Sequence, residues 1–404
     1  MDPMLQVACT TTGISLNERG KLTKAQLATL TSQLGELHRQ QYGKNYHSFY
    51  AWSPGSSHSK IMLLVYPAFL RIVITSCNMM DIDTEFGDNH WYIHDVPKQP
   101  KQKANASAGF ETDLLAHLQH LGTPEEFVDS IRGLYDYSTV KVNLVTSVPG
   151  VCAGNKAERH GLLRLRRVLL DLELELLGQK GNGQFQLEVC TASVGDLNAK
   201  WLTGFYDCAL GKEDISISNA DNDYKVPDFK LFYPTVGDVK SAHELAQEAA
   251  SNIGCHTRPW NKASDEIKNL FHHYESKDRG RLFHQKLILA YDPSDKMDSS
   301  LPYYIYLGSA NLSQSAWGGL EKDKKKNKET CDVKLVKMNN FECGVVIPGQ
   351  FVPGLLARGT TGWREGVVPY VQNAARYDIA KDRPWNDPRW VTGYKEGNGG
   401  GTDF

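Results

Sequence analysis

Two stretches, SSHSKIMLLVY (residues 56–66) and LFHQKLILAY (residues 282–291), carry one pattern: a histidine and a lysine two apart, running into an apolar segment of strand length. Residues two apart on an extended chain point to the same face, so His58 is presented with Lys60 and His284 with Lys286. Each copy is followed by a second strand-like run that closes on asparagine among small residues. LRIVITSCN ends at Asn78, and YYIYLGSAN ends at Asn311. A single His-x-Lys arises by chance in many proteins. Reading these as two unrelated surface-turn histidines would leave the shared lysine, strand and asparagine as coincidences. Two half-sites of one composition, far apart in sequence, instead imply a pseudo-symmetric molecule with one shared centre. Such a set suits phosphodiester chemistry. One imidazole attacks phosphorus, a second protonates the leaving oxygen, and Lys and Asn donors hold the phosphoryl oxygens.

Outward from these blocks, helical and strand periods alternate. KAQLATLTSQLGELHRQ places Leu27, Leu30, Leu34 and Leu37 at helical spacing. SKIMLLVY and LRIVITSC read as two buried strands around a short turn at Pro67. Residues 98–109 read as a Lys/Gln/Ala-rich loop ahead of an amphipathic helix, FETDLLAHLQHLG, and VKVNLVTSVPG as a strand closing on a Pro-Gly turn. In the second half, RHGLLRLRRVLLDLELELL predicts a periodic helix whose RLRR forms a basic outer side, FQLEVCTAS a strand, and KLFYPTVGDVKSA a strand running into a helix. FHQKLILAY and YYIYLGSAN read as buried strands, and residues 321–340 as a charged insertion before the strand FECGVVI. The lysine run Lys322–Lys328 within it reads as a solvated loop, with a nuclear localisation signal or a DNA-contacting loop as alternatives. The pattern predicts an α/β fold.

Composition narrows the class. The 404 residues are 41% hydrophobic and 23% charged, enough for two domains with their own cores. No apolar run reaches membrane-spanning length, and the opening residues lack the basic-then-apolar pattern of a secretory signal. The eight cysteines are scattered singly, with no Cys/His cluster of zinc spacing. Neither a structural metal nor a cofactor is expected, and free thiols in a reducing compartment are. A net charge of −2 gives no support for extensive nucleic-acid coating, while leaving room for the few phosphate contacts of an end-binding enzyme.

From about Ser53 onward the chain resembles the tyrosyl-DNA phosphodiesterase family of the phospholipase D superfamily. The resemblance rests on HSKIMLLVY with LRIVITSCN, on GRLFHQKL with YLGSANLSQSAWGGLEK and FECGVVIP, and on TASVGDLNAKWL, LFYPTVGDVKSA and KDRPW (Lys381–Trp385). GSANLSQSAWG is the most specific piece, because the superfamily at large keeps the Gly-Ser-x-Asn core without the Ala-Trp-Gly extension. The resemblance implies two tandem phospholipase-D-like α-β-α sandwich domains with pseudo-two-fold symmetry and a shared active site. The expected layout is a poorly matched segment of a shortened first domain over 1–52, a first half over 53–150, a second half over 151–392 and a disordered tail over 393–404.

The same resemblance implies a metal-independent phosphoric diester hydrolase of DNA repair, an exonuclease-like enzyme that clears 3′-phosphotyrosyl and related 3′ adducts from DNA in the nucleus. It would work as a monomer, away from membranes. His58 would be the nucleophile that forms a phosphohistidine, and His284 the general acid and then the general base. Lys60, Lys286, Asn78 and Asn311 would bind the non-bridging oxygens. Glu342 falls where the family carries a carboxylate that orients an imidazole, and the histidine it orients would be His58. Asn89 stands where a Gln usually serves the other half, the amide kept but shortened. Ser193 matches a backbone-phosphate contact, though on its residues alone it reads as a turn serine. A DNA-stacking aromatic is replaced by Pro54, with Trp52 the nearest substitute, and Asp292 lies one residue beyond the superfamily's usual Asp. Fewer residues precede His58 than the family usually carries, so either the first domain is trimmed or the sequence has lost its start. Two other readings stay open: a phospholipase D acting on lipid, and an inactive truncated paralogue that binds DNA ends.

Overall fold

Nine consecutive buried residues, Asn340–Pro348, form the strand on which the molecule is built. Such continuous burial is what a strand covered on both faces shows. In the computed structural model, residues 23–44, 46, 49, 55–101, 109–172, 185–215, 217, 224–278, 280–294, 300–323 and 333–387 are described. One side of Asn340–Pro348 pairs antiparallel with Tyr304–Gly308. Its other side pairs antiparallel with Asn143–Ser147 and, at its first residues, parallel with Ser56–Ser57. Beyond Tyr304–Gly308 the sheet continues through Leu287–Tyr291, Gln186–Cys190, Lys230–Phe232 and Phe271–His272, making eight strands of mixed direction among the described residues. A smaller antiparallel sheet of three strands, Ile61–Val65, Phe69–Thr75 and Trp91–Pro97, lies with its middle strand against Tyr304–Gly308 and Asn340–Pro348.

Helices interleave with these strands, and the class is α/β as the sequence pattern predicts. Helix Gly161–Asp171 buries Leu162, Leu163, Leu165, Val168 and Leu169. Its arginines hold the fold together: Arg164 donates to the Leu144 carbonyl, Arg166 to the Lys212 carbonyl, and Arg167 pairs with Asp171. At Val236–Ser241 the Thr235 hydroxyl accepts from the Asp238 N–H while the Asp238 carboxylate accepts from the Thr235 N–H, a reciprocal cap that fixes where the strand becomes a helix. No helix among the described residues is long and apolar enough to cross a membrane.

Compactness divides the chain into two units. One comprises 1–54 and 101–134, the other 55–100 and 135–404. The first contains helices Lys24–Tyr42, Phe110–His120 and Glu125–Ile131. Lys24–Tyr42 opens on a Thr23–Gln26 capping box, and Leu30 and Leu34 are buried. The buried Glu111 carboxylate accepts from the Gly133 N–H, closing the loop after the third helix. Both His-x-Lys blocks belong to the second unit. The division into tandem halves at Gly150 stays a proposal about internal repetition.

Two local expectations need correction. The strand Ile61–Val65, read as buried, is the edge of the small sheet, with Leu64 and Val65 exposed. An apolar run does not reveal which face lacks a cover. The segment 321–340 is not simply a charged insertion, because Gly319–Lys322 and Val333–Met338 pair as an antiparallel hairpin that Gly150–Cys152 extends. Asp292, the displaced superfamily acid, is a turn residue whose carboxylate accepts from the N–H and hydroxyl of Ser294. Trp52, Pro54, most of the lysine run and the tail over 393–404 lie outside the described residues. The six described cysteines, from Cys77 to Cys343, are buried and form no disulfide.

The glycine of the GSAN motif has a packing reason. Gly308 and Gly344 face each other across the sheet, and the Tyr306 ring lies over the pair. A Cβ at Gly344 would come within 2.5 Å of the Tyr306 ring, which is buried and cannot swing aside. Gly344→Ala is therefore expected to destabilise the fold by about 1–3 kcal/mol through overpacking. Equilibrium urea unfolding checks this, and an unchanged midpoint would contradict it.

Candidate active site

The first histidine is placed by backbone pairing. Ser56 donates its N–H to the Asn339 carbonyl and His58 donates its N–H to the Phe341 carbonyl, so the chain lies alongside the start of the long buried strand. That register sets His58 Nδ1 2.9 Å from Glu342 Oε2 and 3.1 Å from Oε1. Glu342 is 1% exposed and is satisfied on every side. It accepts from the Ser309 hydroxyl and from Asn340 Nδ2 as well as facing His58. Ser309 in turn accepts from the Cys343 N–H, so the GSAN loop locks onto the strand that carries the carboxylate. Lys60 Nζ donates to the His58 carbonyl at 2.8 Å.

The second histidine is placed in the same way by different elements. Leu282–Phe283 pairs parallel with Gly87–Asp88, and the His284 N–H donates to the Asp88 carbonyl. His284 Nδ1 then lies 3.0 Å from Oδ2 of Asp83, a residue that is 1% exposed. The same oxygen accepts from the Asn78 N–H at 2.7 Å. His284 Nε2 lies 3.3 Å from Asn78 Nδ2 and 3.0 Å from Lys286 Nζ. Lys286 also donates to the carbonyls of His284, at 2.7 Å, and Ser76, at 3.4 Å. Met79, just after Asn78, has φ +58°, a left-handed backbone that costs a bulky residue energy and persists only where its surroundings hold it. Asn311 has its Oδ1 engaged by the Ser193 N–H at 3.0 Å and the Thr191 hydroxyl at 3.3 Å, which turns its NH2 group the other way.

The carboxylates are exchanged between the blocks. The histidine of the first block bonds to Glu342 of the second, and the histidine of the second bonds to Asp83 of the first. Asn78 and Ser76 of the first block reach His284 and Lys286 of the second. His58, Lys60, Asn78, His284 and Lys286 thus converge, together with Glu342, while Asn311 is placed by its bonds to Ser193 and Thr191.

Burial dominates the charge states here. It is the largest influence on His58 and lowers its pKa, Glu342 opposes it, and with Lys60 and Lys286 lowering it further the imidazole lies below its ordinary value. Burial alone would raise Glu342, but the His58 imidazole, the Lys60 charge and the Ser309 hydroxyl outweigh it and leave the carboxyl below its usual range. The two shifts agree on one state: a charged Glu342 accepting from the Nδ1–H of a neutral His58, with Lys60 as the balancing cation. Burial likewise lowers His284, with Lys286 and Lys60 adding to it and Asp83 opposing. Lys60 falls to about 8, burial pulling it down while Glu342 and Asp83 hold it up. The fully buried Lys286 falls well below its ordinary value, with Lys60 next to burial as the cause. An anion between the two lysines would restore what burial takes from them. Among the described residues, no group of three or more His, Cys, Asp or Glu side chains is placed to hold a metal ion.

Asn89 does not reach His284. Its Oδ1 accepts from the Ser76 hydroxyl, and its Nδ2 donates to the carbonyls of Asp83 and Gly87. The shortened side chain serves the Asn78 loop, and Asp83 stands at the imidazole instead. Sequence reasoning missed Asp83. It lies in NMMDIDTEF, between Asp81 and Glu85, and nothing in that run marks which acid turns inward. Ser193 reaches the site through its backbone N–H on Asn311, while Trp52 lies outside the described residues.

With this geometry established, comparison with known proteins gives a consistent result. The family described as Tyrosyl-DNA phosphodiesterase matches residues 20–389. The Arabidopsis thaliana protein named Tyrosyl-DNA phosphodiesterase 1 is 28% identical over 67% of this chain and 44% of its own length. The Drosophila melanogaster protein of the same name is 26% identical over 74% of this chain and 51% of its own length. The chain thus spans about half the length of these curated relatives. Among solved structures, the crystal structure of the yeast tyrosyl-DNA phosphodiesterase superposes with a TM-score of 0.59 at 18% identity, over 82% of this chain and 78% of that one. The fold is the same.

The His58–Glu342 pair has a direct spectroscopic consequence. Nitrogen-15 NMR at neutral pH should find His58 neutral with its proton on Nδ1, titrating below an ordinary histidine. Glu342→Gln removes the group that holds the imidazolium up, so the midpoint should move lower still. A midpoint above the ordinary value, or one that ignores Glu342→Gln, would contradict this electrostatic account.

Proposed function

Because the chain belongs to the tyrosyl-DNA phosphodiesterase family, as its match over residues 20–389 shows, we propose that it is a DNA-repair phosphodiesterase. It hydrolyses tyrosyl and related adducts on the 3′ end of DNA, as a monomer in the nucleus. The observation that carries this reading is the exchange of carboxylates across two His-x-Lys-Asn half-sites, which brings two imidazoles and two ammonium groups to one place. That equipment exceeds what binding a DNA end requires, and so favours turnover over an end-binding role alone.

In the first step Nε2 of neutral His58 attacks the 3′-phosphorus. The bond from phosphorus to the tyrosyl oxygen breaks, and His284 supplies the proton that the departing oxygen takes. Phosphorylated His58 carries positive charge, which Glu342 is placed to offset. Lys60, Lys286, Asn78 and Asn311 hold the non-bridging oxygens while negative charge shifts in the transition state. In the second step His284, now neutral, accepts a proton from water as the water attacks phosphorus and the N–P bond breaks. DNA with a 3′-phosphate leaves. The phosphodiester's negative charge offsets Lys60 and Lys286, which lets His284 hold a proton in the complex despite its burial. Ser193, whose N–H bonds Asn311, would meet the DNA backbone.

Hydrolysis of a 3′-phosphotyrosyl oligonucleotide in the presence of a metal chelator tests the function. Activity should persist, and its loss on chelation with recovery on adding magnesium would contradict the mechanism. On a denaturing gel, His58→Ala should form no protein–DNA adduct. His284→Ala should accumulate one, because attack on an aryl ester can proceed slowly while release needs the base. The reverse pattern would exchange the two roles.

A further inference from the structure

Asp83 holds toward His284 the place that Glu342 holds toward His58. Its geometry is more demanding than loop closure requires. The side chain is 1% exposed, and one oxygen takes both the Asn78 N–H and His284 Nδ1. The other oxygen, Oδ1, is buried and has no hydrogen-bond partner among the described residues. A buried unpaired carboxylate oxygen is costly, and an asparagine would satisfy the same loop without burying a charge. The charge itself therefore needs a reason. His284 is faced by Lys286 and by Asp83, each at 3.0 Å, by Asn78 at 3.3 Å from Nε2 and, without a direct bond, by Lys60. Asp83 is the anion in that set, and the two ammonium groups and burial all oppose a proton on His284.

We propose that Asp83 is a positioning residue of the reaction, holding His284 in the tautomer that turns Nε2 to the phosphorus and supplying the charge that lets this imidazole carry the leaving group's proton. The inference rests on the reading of His284 as general acid and then general base. Asp83 touches neither substrate nor phosphorus; it acts through the Nδ1–H of His284. The site thus has two carboxylate–imidazole pairs, one for the nucleophile and one for the acid. Two carboxylates also balance the two lysines, so that an arriving phosphodiester meets a site close to neutral within a preformed cradle.

The test compares two leaving groups. Proton donation matters most when the departing oxygen is a poor leaving group, so one oligonucleotide carries a 3′-phosphotyrosine and the other a 3′-(4-nitrophenyl) phosphate. Asp83→Asn keeps the acceptor for the Asn78 N–H and removes the charge, and Asp83→Ala removes both. Circular dichroism and thermal melting establish that each variant is folded. Single-turnover cleavage of the tyrosyl substrate should fall about 100-fold in Asp83→Asn, the lower end of general acid–base contributions. Cleavage of the nitrophenyl substrate should fall less than about 10-fold, with adduct accumulating because the base for hydrolysis is weakened. The sign of the pH effect follows from the proton. Cleavage falls as pH rises through the His284 pKa, and removing a carboxylate lowers that pKa, so the alkaline limb should move to lower pH. An equal loss on both substrates with an unmoved limb would mean that Asp83 only holds the Asn78 loop, and would overturn the proposal. So would wild-type rates in Asp83→Asn. Failure of the wild-type protein on both substrates would overturn the functional reading instead.

Discussion

A carboxylate in the middle of a strand buried at all nine residues is the constraint on which the rest of the structure turns. Glu342 can stay charged there only if its oxygens are occupied, and the fold supplies three partners from three places: His58, Ser309 and Asn340. Each partner fixes a part of the site. The His58 bond draws the first motif block against the second. The Ser309 bond sets the loop that presents Asn311. The parallel addition of Ser56–Ser57 makes the register of the first bond unavoidable. Breaking such a buried pair by removing one partner costs far more than its net contribution, because the orphaned charge remains. Stability and catalytic geometry therefore rest on the same contacts.

The electrostatics follow from burial and pairing together. Burial keeps both histidines neutral in the resting site, which is the state a nucleophile needs. Their carboxylate partners fix the tautomer and keep a proton within reach. Lys60, at about 8, keeps most of its charge at neutral pH, while Lys286 lies deeper and well below its ordinary value. On the proposed mechanism an arriving phosphodiester restores the charge that burial takes from the lysines, and the negative charge that docks it also arms His284 as an acid. Binding and protonation would then be one event.

Much of this was legible in the sequence, and the exceptions have physical causes. His58 with Lys60 and His284 with Lys286 could be found because a two-residue spacing on an extended chain fixes a common face, and Asn78 and Asn311 because each closes the strand-like run that follows. Glu342 came from the family resemblance, since a lone acid in FECGVVI says only that it needs a partner. Asp83 was invisible. Which of Asp81, Asp83 and Glu85 turns inward depends on the turn at Asn78, with Met79 in a left-handed conformation, and that turn is held by Asp83 itself. Such a closed loop of causes leaves no local pattern to read. The exposure of Leu64 and Val65 was equally hidden, because an apolar strand looks the same whether or not its outer edge is covered. The hairpin of Gly319–Lys322 with Val333–Met338 was masked by charge and by an irregular strand, whose register shifts between Leu335 and Met338 and whose Lys337 has a positive φ.

The account's central claim is that a bond forms between phosphorus and Nε2 of His58. Its most direct test is peptide mapping by mass spectrometry of wild-type protein quenched during cleavage of a 3′-phosphotyrosyl oligonucleotide, under alkaline conditions that preserve N–P bonds. The account predicts nucleotide mass on the peptide that contains His58 and on no other. Nucleotide on the peptide containing His284, or rapid turnover with no labelled peptide, would contradict it.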